Sequence, residues 1–129
     1  MGLSSPAEIC RKYLEAFGTG DPDVVASFVS ENFVNEHTSA LGSGCTGKDE
    51  YRRRLPGFIA SMPELRYEIE SQITEGDQVA NAYTLRARVN DREIAIRGMM
   101  RITVRDGLIT DRTDYWDSKL FLQQAGLEG

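Results

Sequence analysis

The sequence predicts an α+β domain in which helices come first and a long antiparallel sheet follows. Two observations carry this. Apolar residues recur at helical spacing up to Pro63 and alternate after it. Three tight-turn signals, Glu75-Gly76-Asp77, Asn90-Asp91 and Arg105-Asp106-Gly107, punctuate the alternating half, as a meander of hairpins requires. With 129 residues, 40% hydrophobic and 27% charged, the chain is one domain, residues 1–129, with material for one core. A sheet of such strands twists strongly and curls over the helices. The expected result is a cone-shaped α+β barrel whose interior is a natural ligand site.

The elements follow in order. Ser5-Pro6-Ala7-Glu8 offers an N-cap, a proline at the first helical position and a glutamate for a capping box. Ile9, Tyr13, Ala16 and Phe17 then form the core face of a first helix that Gly18 and Gly20 end. Asp21-Pro22 caps a shorter helix, with Val24, Val25, Phe28 and Val29 facing inward. Phe33–His37 reads as a short extended segment, and the stretch from Gly42 to Gly47 as a loop. A third helix starts near Lys48 with Tyr51, Leu55, Phe58, Ile59 and Met62 on one face; Pro56 should kink it and Pro63 stops it. Of the strands that follow, the first buries Leu65, Tyr67, Ile69 and Ile73, and the second Val79, Asn81, Tyr83, Leu85, Ala87 and Val89. The third buries Ile94, Ile96, Gly98, Met100, Ile102 and Val104. The last strand runs from Ile109, and Asp117 caps a terminal helix carrying Leu120 and Phe121.

Composition narrows the function. A net charge of −5 and a pI near 4.9 argue against a nucleic-acid or anionic-membrane surface. Arg52-Arg53-Arg54, the one basic run, reads as a solvated helix face. Two cysteines outside any Cys-x-x-Cys pair make no disulfide framework, and one histidine makes no histidine-rich metal site. No metal, nucleotide or other cofactor is implied, since there is no ligand cluster and no Gly-rich phosphate loop. The N-terminal stretch lacks the marks of a secretory leader and no run suits a membrane span, so a cytoplasmic protein is expected.

The chemistry concentrates in Ile109–Asp117, where three carboxylates, an arginine and two large aromatics occupy nine positions. Asp117 is a helix cap and Asp111 belongs to the strand's exposed end, which leaves Asp114 as the candidate catalytic residue. It alternates with Arg112 and Trp116, so a regular strand puts all three on one face. Facing the cone, Asp114 would be walled by the Trp116 indole and suited to acid/base work. The competing reading is an ordinary ion pair with Arg101 or Arg112, and a bulge in the strand would reverse its inward set. Asn35 and His37 share a side of their segment and Glu36 takes the other. Tyr13 and Tyr83 are hydroxyls within apolar faces, and Met62, Met99 and Met100 suit an adaptable wall.

Five motifs in this order resemble the nuclear transport factor 2-like superfamily, and more narrowly its SnoaL-like polyketide cyclase branch. They are Tyr13–Asp21, Gly47, Glu75–Val79, Arg105–Ile109 and Thr113–Asp117. The resemblance spans nearly the whole chain. It implies a cofactor-free acid/base enzyme, a cyclase or isomerase, acting on a small hydrophobic carbonyl compound, with Asp114 moving the proton. Phe17 and Asn35 match the cyclase pocket, while that pocket's glutamine and histidine fall on Gly98 and Met100. Asn35 with Tyr13 or Tyr83 would hold the developing enolate. Glu36, His37, Met100 and Trp116 complete the expected substrate-binding set. By likeness to ketosteroid isomerases, Tyr13 stands at the oxyanion tyrosine and Glu36 at the base, with the second donor lost near Gly98. By likeness to limonene-type epoxide hydrolases, Asp114 matches, but their arginine and second aspartate fall on Tyr83 and Leu85, and their water-holding tyrosine and asparagine on Val34 and Glu36. A non-catalytic module binding an apolar ligand or a partner stands beside these readings. A homodimer through the outer sheet face is what the resemblance implies.

Overall fold

The computed structural model describes residues 4–127. Helix α1, Pro6–Ala16, starts where the Ser5 side chain accepts from the Glu8 amide at 3.2 Å and Pro6 occupies the first turn. It runs into a 3-10 turn, Phe17–Thr19, closed by Gly20 at φ 71°. Helix α2, Pro22–Ala26, is capped by Asp21. With only five residues it has a narrow inward stripe: Val25 is buried, whereas Val24, expected inside, faces solvent. Val29 is buried too, but as the first residue of strand β1, Val29–His37, which begins four positions before the expected segment.

Strand β2 is the pair Cys45–Thr46, and α3 spans Lys48–Ser61 as one helix with Pro56 inside it. Then come β3 (Arg66–Glu75), β4 (Gln78–Val89), β5 (Arg92–Arg105) and β6 (Leu108–Tyr115), followed by α4 (Ser118–Ala125). Asp117 caps α4 through bonds from the Lys119 and Leu120 amides at 2.9 and 3.2 Å. The hairpin turns between β4 and β5 and between β5 and β6 place Asn90, Asp91, Asp106 and Gly107 at positive φ, the geometry that joins two twisted strands most tightly.

The sheet has six strands in the order β2-β1-β6-β5-β4-β3. From β3 to β6 it is the expected antiparallel meander. Strand β1 joins it in parallel to β6, and β2 and β3 remain as edges, so the cone is open rather than closed into a barrel. Helix α1 lies against β3, β4 and β5, α3 against β1, and α4 against β5. No described helix is long and apolar enough to cross a membrane.

Two irregularities decide which side chains face the core. Between Ile69 and Ser71 the β3–β4 register slips and leaves Glu70 as the extra residue. Beyond it the inward position falls on Gln72, and Ile73, expected in the core, is 70% exposed. Between β5 and β6 the register passes from Val104↔Ile109 to Thr103↔Asp111, so Thr110 is extra. Ile109 on one side of this bulge and Arg112 and Asp114 on the other are therefore all buried. Asp111 is half-buried rather than exposed, accepting from Thr103 and Thr110 hydroxyls at 3.1 Å each.

The inward Gln72 has a partner. Its Nε2 donates to Asn81 Oδ1 at 2.9 Å and to the Ala7 carbonyl at 2.8 Å, and Asn81 Nδ2 donates to the Met100 carbonyl at 3.1 Å. The fully buried Asn81 thus ties α1 to the sheet through side-chain amides. Asn81→Leu should lower unfolding free energy by about 1–3 kcal/mol, since it leaves the Gln72 amide short of an acceptor. Urea denaturation checks this; an unchanged midpoint would assign the amides no structural role.

Candidate functional site

The concave face of the sheet, with α3 and α4, encloses a cavity of about 590 Å³. Most of its wall is apolar: Phe17, Leu55, Phe58, Met62, Leu85, Ile96 and Phe121. Much of the polar part of the wall comes from the sheet: Asn35 and His37 from β1, Tyr67 from β3, Tyr83 from β4, Arg112 and Asp114 from β6, and Trp116 just beyond.

Arg112 and Asp114 are two residues apart on one strand and hence on one face. Arg112 Nη2 donates to Asp114 Oδ2 at 2.8 Å, with each side chain only 4% exposed. Tyr83 donates its hydroxyl to Asp114 Oδ1 at 2.6 Å. Burial first, then the adjacent Asp114 charge, pushes the Tyr83 phenol well above its ordinary range, so it keeps its proton and donates. Arg112 Nη1 donates to the Tyr13 hydroxyl at 2.8 Å, and that hydroxyl is also hydrogen-bonded to Tyr51. The guanidinium carbon lies 5.8 Å from the ring centres of Tyr13 and Phe17, a cation–π cradle for a buried charge. Arg112 Nε and Asn35 Oδ1, on register partners of β6 and β1, are buried without hydrogen-bond partners among the described residues.

His37 completes the group. Its Nδ1 accepts from Trp116 Nε1 at 3.2 Å and lies 3.8 Å from Asp114 Oδ2. Burial first, and the Arg112 charge second, push its pKa down to about 4 against an opposing pull from Asp114. The imidazole is therefore neutral near neutral pH.

The structure brings together Phe17, Asn35, His37, Tyr83, Asp114 and Trp116 of the expected set on the cavity wall. Three others are placed elsewhere. Tyr13 is fully buried behind the wall, its hydroxyl engaged by Arg112 and Tyr51. Glu36 points to the opposite face of β1 and accepts from the Thr113 hydroxyl at 3.1 Å, so it is absent from the position of an isomerase base. Met100 is the cross-strand partner of Asp114, buried beneath the wall. The same alternation turns Val34 outward, so Asn35 and His37, rather than Val34 and Glu36, hold the polar positions of β1. Gly98 also has a role the sequence left blank. A Cβ there would lie 2.6 Å from Tyr83 Cζ, so the missing side chain is the space the Tyr83 ring occupies on its way to Asp114.

Arg112 itself was legible only as a neighbour of Asp114 on the strand. The ion pair and the pocket position, set against each other as alternatives, are both present: the pair lies inside the cavity wall. Tyr51, Tyr67 and Arg54 also reach the wall, and nothing in the sequence separated them from core or surface residues.

Comparison with known proteins agrees with this architecture. The SnoaL-like domain model matches residues 10–112. No curated protein matches the sequence. A protein of ketosteroid isomerase-like fold from Catenulispora acidiphila, in complex with trimethylamine, superposes with a TM-score of 0.86 at 19% identity over 97% of this chain and 96% of its own. A candidate SnoaL-like polyketide cyclase from Shewanella denitrificans gives 0.80 at 17% identity over 95% and 98%. TerC co-crystallised with polyporic acid gives 0.82 at 19% identity over 95% and 99%. At these identities the superpositions establish a shared fold. With the family model covering most of the sequence, the chain belongs to the SnoaL-like family, within the nuclear transport factor 2-like fold group.

Two outcomes follow. Arg112→Met should cost about 3–5 kcal/mol of stability by stranding a buried carboxylate, and Arg112→Met with Asp114→Leu should cost less than that single change. Thermal or urea unfolding of the two variants decides it; a double variant as unstable as Arg112→Met would contradict the pairing. For His37, the folded pKa lies below the ordinary histidine value of 6.5, at about 4, so between these limits the unfolded chain binds more protons. Stability should therefore fall as pH drops from about 6.5 to about 4, and His37→Phe should flatten that part of the profile.

Proposed function

We propose that this protein catalyses a cofactor-free proton transfer on a small hydrophobic carbonyl compound, an aldol cyclisation or an isomerisation, with Asp114 carrying the proton. The observation that carries the reading is a carboxylate 2% exposed on the wall of a largely apolar cavity, held by one tyrosine and one arginine. An aspartate so placed is oriented before a ligand arrives, and its remaining lone pairs are available to a C–H beside a carbonyl.

The charge arrangement suits the step. Asp114 takes the α-proton, and negative charge moves from the carboxylate to the substrate oxygen. Arg112, always protonated, stays beside both and balances either distribution. Tyr83 holds Oδ1 in place while Oδ2 faces the Arg112 and His37 side. The enolate donors named from sequence change in one respect. Tyr13 and Tyr83 are occupied, so the holding of enolate oxygen passes to Asn35 and to whatever other wall donor is free.

One observation favours a second reading, ligand binding without catalysis. Both Asp114 oxygens already accept a hydrogen bond, which is also how a purely structural ion pair is satisfied. Exchange of α-hydrogen for deuterium in 1-tetralone, followed by proton NMR, separates the two. The wild-type protein should accelerate it and Asp114→Asn should lose about 10²-fold or more of that acceleration. Binding of the ketone with no acceleration would establish the binding-only reading.

A further inference from the structure

Three of the donors at or behind the polar wall are already engaged. Tyr83 donates to Asp114, the Arg112 terminal nitrogens donate to Tyr13 and Asp114, and the Tyr13 hydroxyl lies between Arg112 and Tyr51. His37 differs because its proton position is dictated by a neighbour. The Trp116 indole nitrogen can only donate, so His37 Nδ1, which receives it at 3.2 Å, must present a lone pair. The single proton of the neutral ring then resides on Nε2. That nitrogen bonds to no described residue and is not among the enclosed polar atoms, while the ring itself lines the cavity.

We infer that His37, held as the Nε2–H tautomer by Trp116, is the donor that receives the carbonyl oxygen of a neutral alicyclic or aryl ketone whose α-carbon faces Asp114. This rests on the acid/base reading above and gives it a substrate class. Neutrality follows from the charge count at the site. Arg112 and Asp114 compensate one another and His37 carries no charge, so no unbalanced cation waits for a carboxylate. Arg54, the other cation on the wall, is tied to Glu50 at 2.8 Å and to the Gly44 carbonyl at 2.8 Å. The preference for a ring follows from Phe17, Leu55, Phe58 and Ile96, flat or branched apolar groups of the same cavity wall.

The step balances with the groups present. The α C–H bond breaks toward an Asp114 oxygen, its electron pair forms the new C=C bond, and the carbonyl π pair moves onto oxygen. That oxygen accepts from His37 Nε2–H, which keeps its proton. A neutral imidazole serves well here because it strengthens a hydrogen bond to developing charge without being deprotonated itself. His37 would thus touch the reacting oxygen, and Trp116 is a positioning residue.

The only histidine of the chain makes the test direct. Nitrogen-15 NMR of the labelled protein at neutral pH should show one tautomer, Nδ1 unprotonated and Nε2 protonated. Adding 1-tetralone should move the Nε2 signal and shift the ketone carbonyl carbon. Trp116→Phe should turn the pattern into a tautomer mixture and reduce α-exchange, whereas His37→Gln, which keeps a donor, should retain more exchange than His37→Phe. An Nδ1–H tautomer, absence of 1-tetralone binding, or saturation with no change at Nε2 would each overturn the inference. Its failure is separable from that of the acid/base reading. Exchange without an Nε2 response removes His37 and leaves Asp114. An Nε2 response without exchange leaves the donor and removes the proton carrier.

Discussion

The Arg112–Asp114 ion pair is the constraint around which this cavity is arranged. Placing two opposite charges where water scarcely reaches is costly unless each finds hydrogen bonds and its partner. The surrounding structure supplies them in detail. Tyr83 reaches Asp114 because Gly98 clears its path, Tyr13 receives Arg112 from behind the wall, and two aromatic rings take the face of the guanidinium. Removing any of these would leave a buried charge less compensated. The pair therefore couples α1, β4 and β6, three elements distant in sequence.

That coupling makes the polar end stiff while the rest of the wall is built from soft apolar side chains. The division is a sensible one for acid/base chemistry. Reacting groups must be oriented before the ligand arrives, since preorganised dipoles stabilise developing charge without rearranging at the moment of reaction. The ring-sized apolar space can accept ligands of differing outline. Specificity for one compound would then reside in the remainder of the wall, including Leu41, Ser43, Arg54, Phe58 and Phe121.

Much of the fold was legible in the sequence because the signals are local. Ser5-Pro6 starts a helix, Asp117 caps one, and Asn90-Asp91 and Asp106-Gly107 turn hairpins through chemistry contained within a few residues. What escaped was non-local. No pattern in Phe33–His37 announces that β1 extends back to Val29 or that its partner is β6 in parallel. The inward set of β3 fails at Ile73 because alternation assumes an unbroken register, and Glu70 breaks it. The site divides the same way. Asp114, Trp116, Asn35, His37, Phe17 and Tyr83 were found because alternation or helical spacing puts them on inward faces. Tyr13 and Met100 were placed on inward faces as well, yet a second layer of side chains separates them from the cavity, and depth is invisible to periodicity. Glu36 was carried by likeness alone against its own alternation, and alternation prevailed.

The extra residue at Thr110 has a consequence for how such a site arises. Upstream of it the inward face carries Ile109, and downstream it carries Arg112 and Asp114. Were the same residues paired without that bulge, Asp111 and Thr113 would follow Ile109 to the cavity side while the charged pair faced away. The identity of the lining is thus encoded in strand register as well as in side chains. A shift of register in this hairpin would exchange a charged pocket for a different one with every residue of the motif still present, so relatives of this fold compared by motif alone can share letters and differ in chemistry.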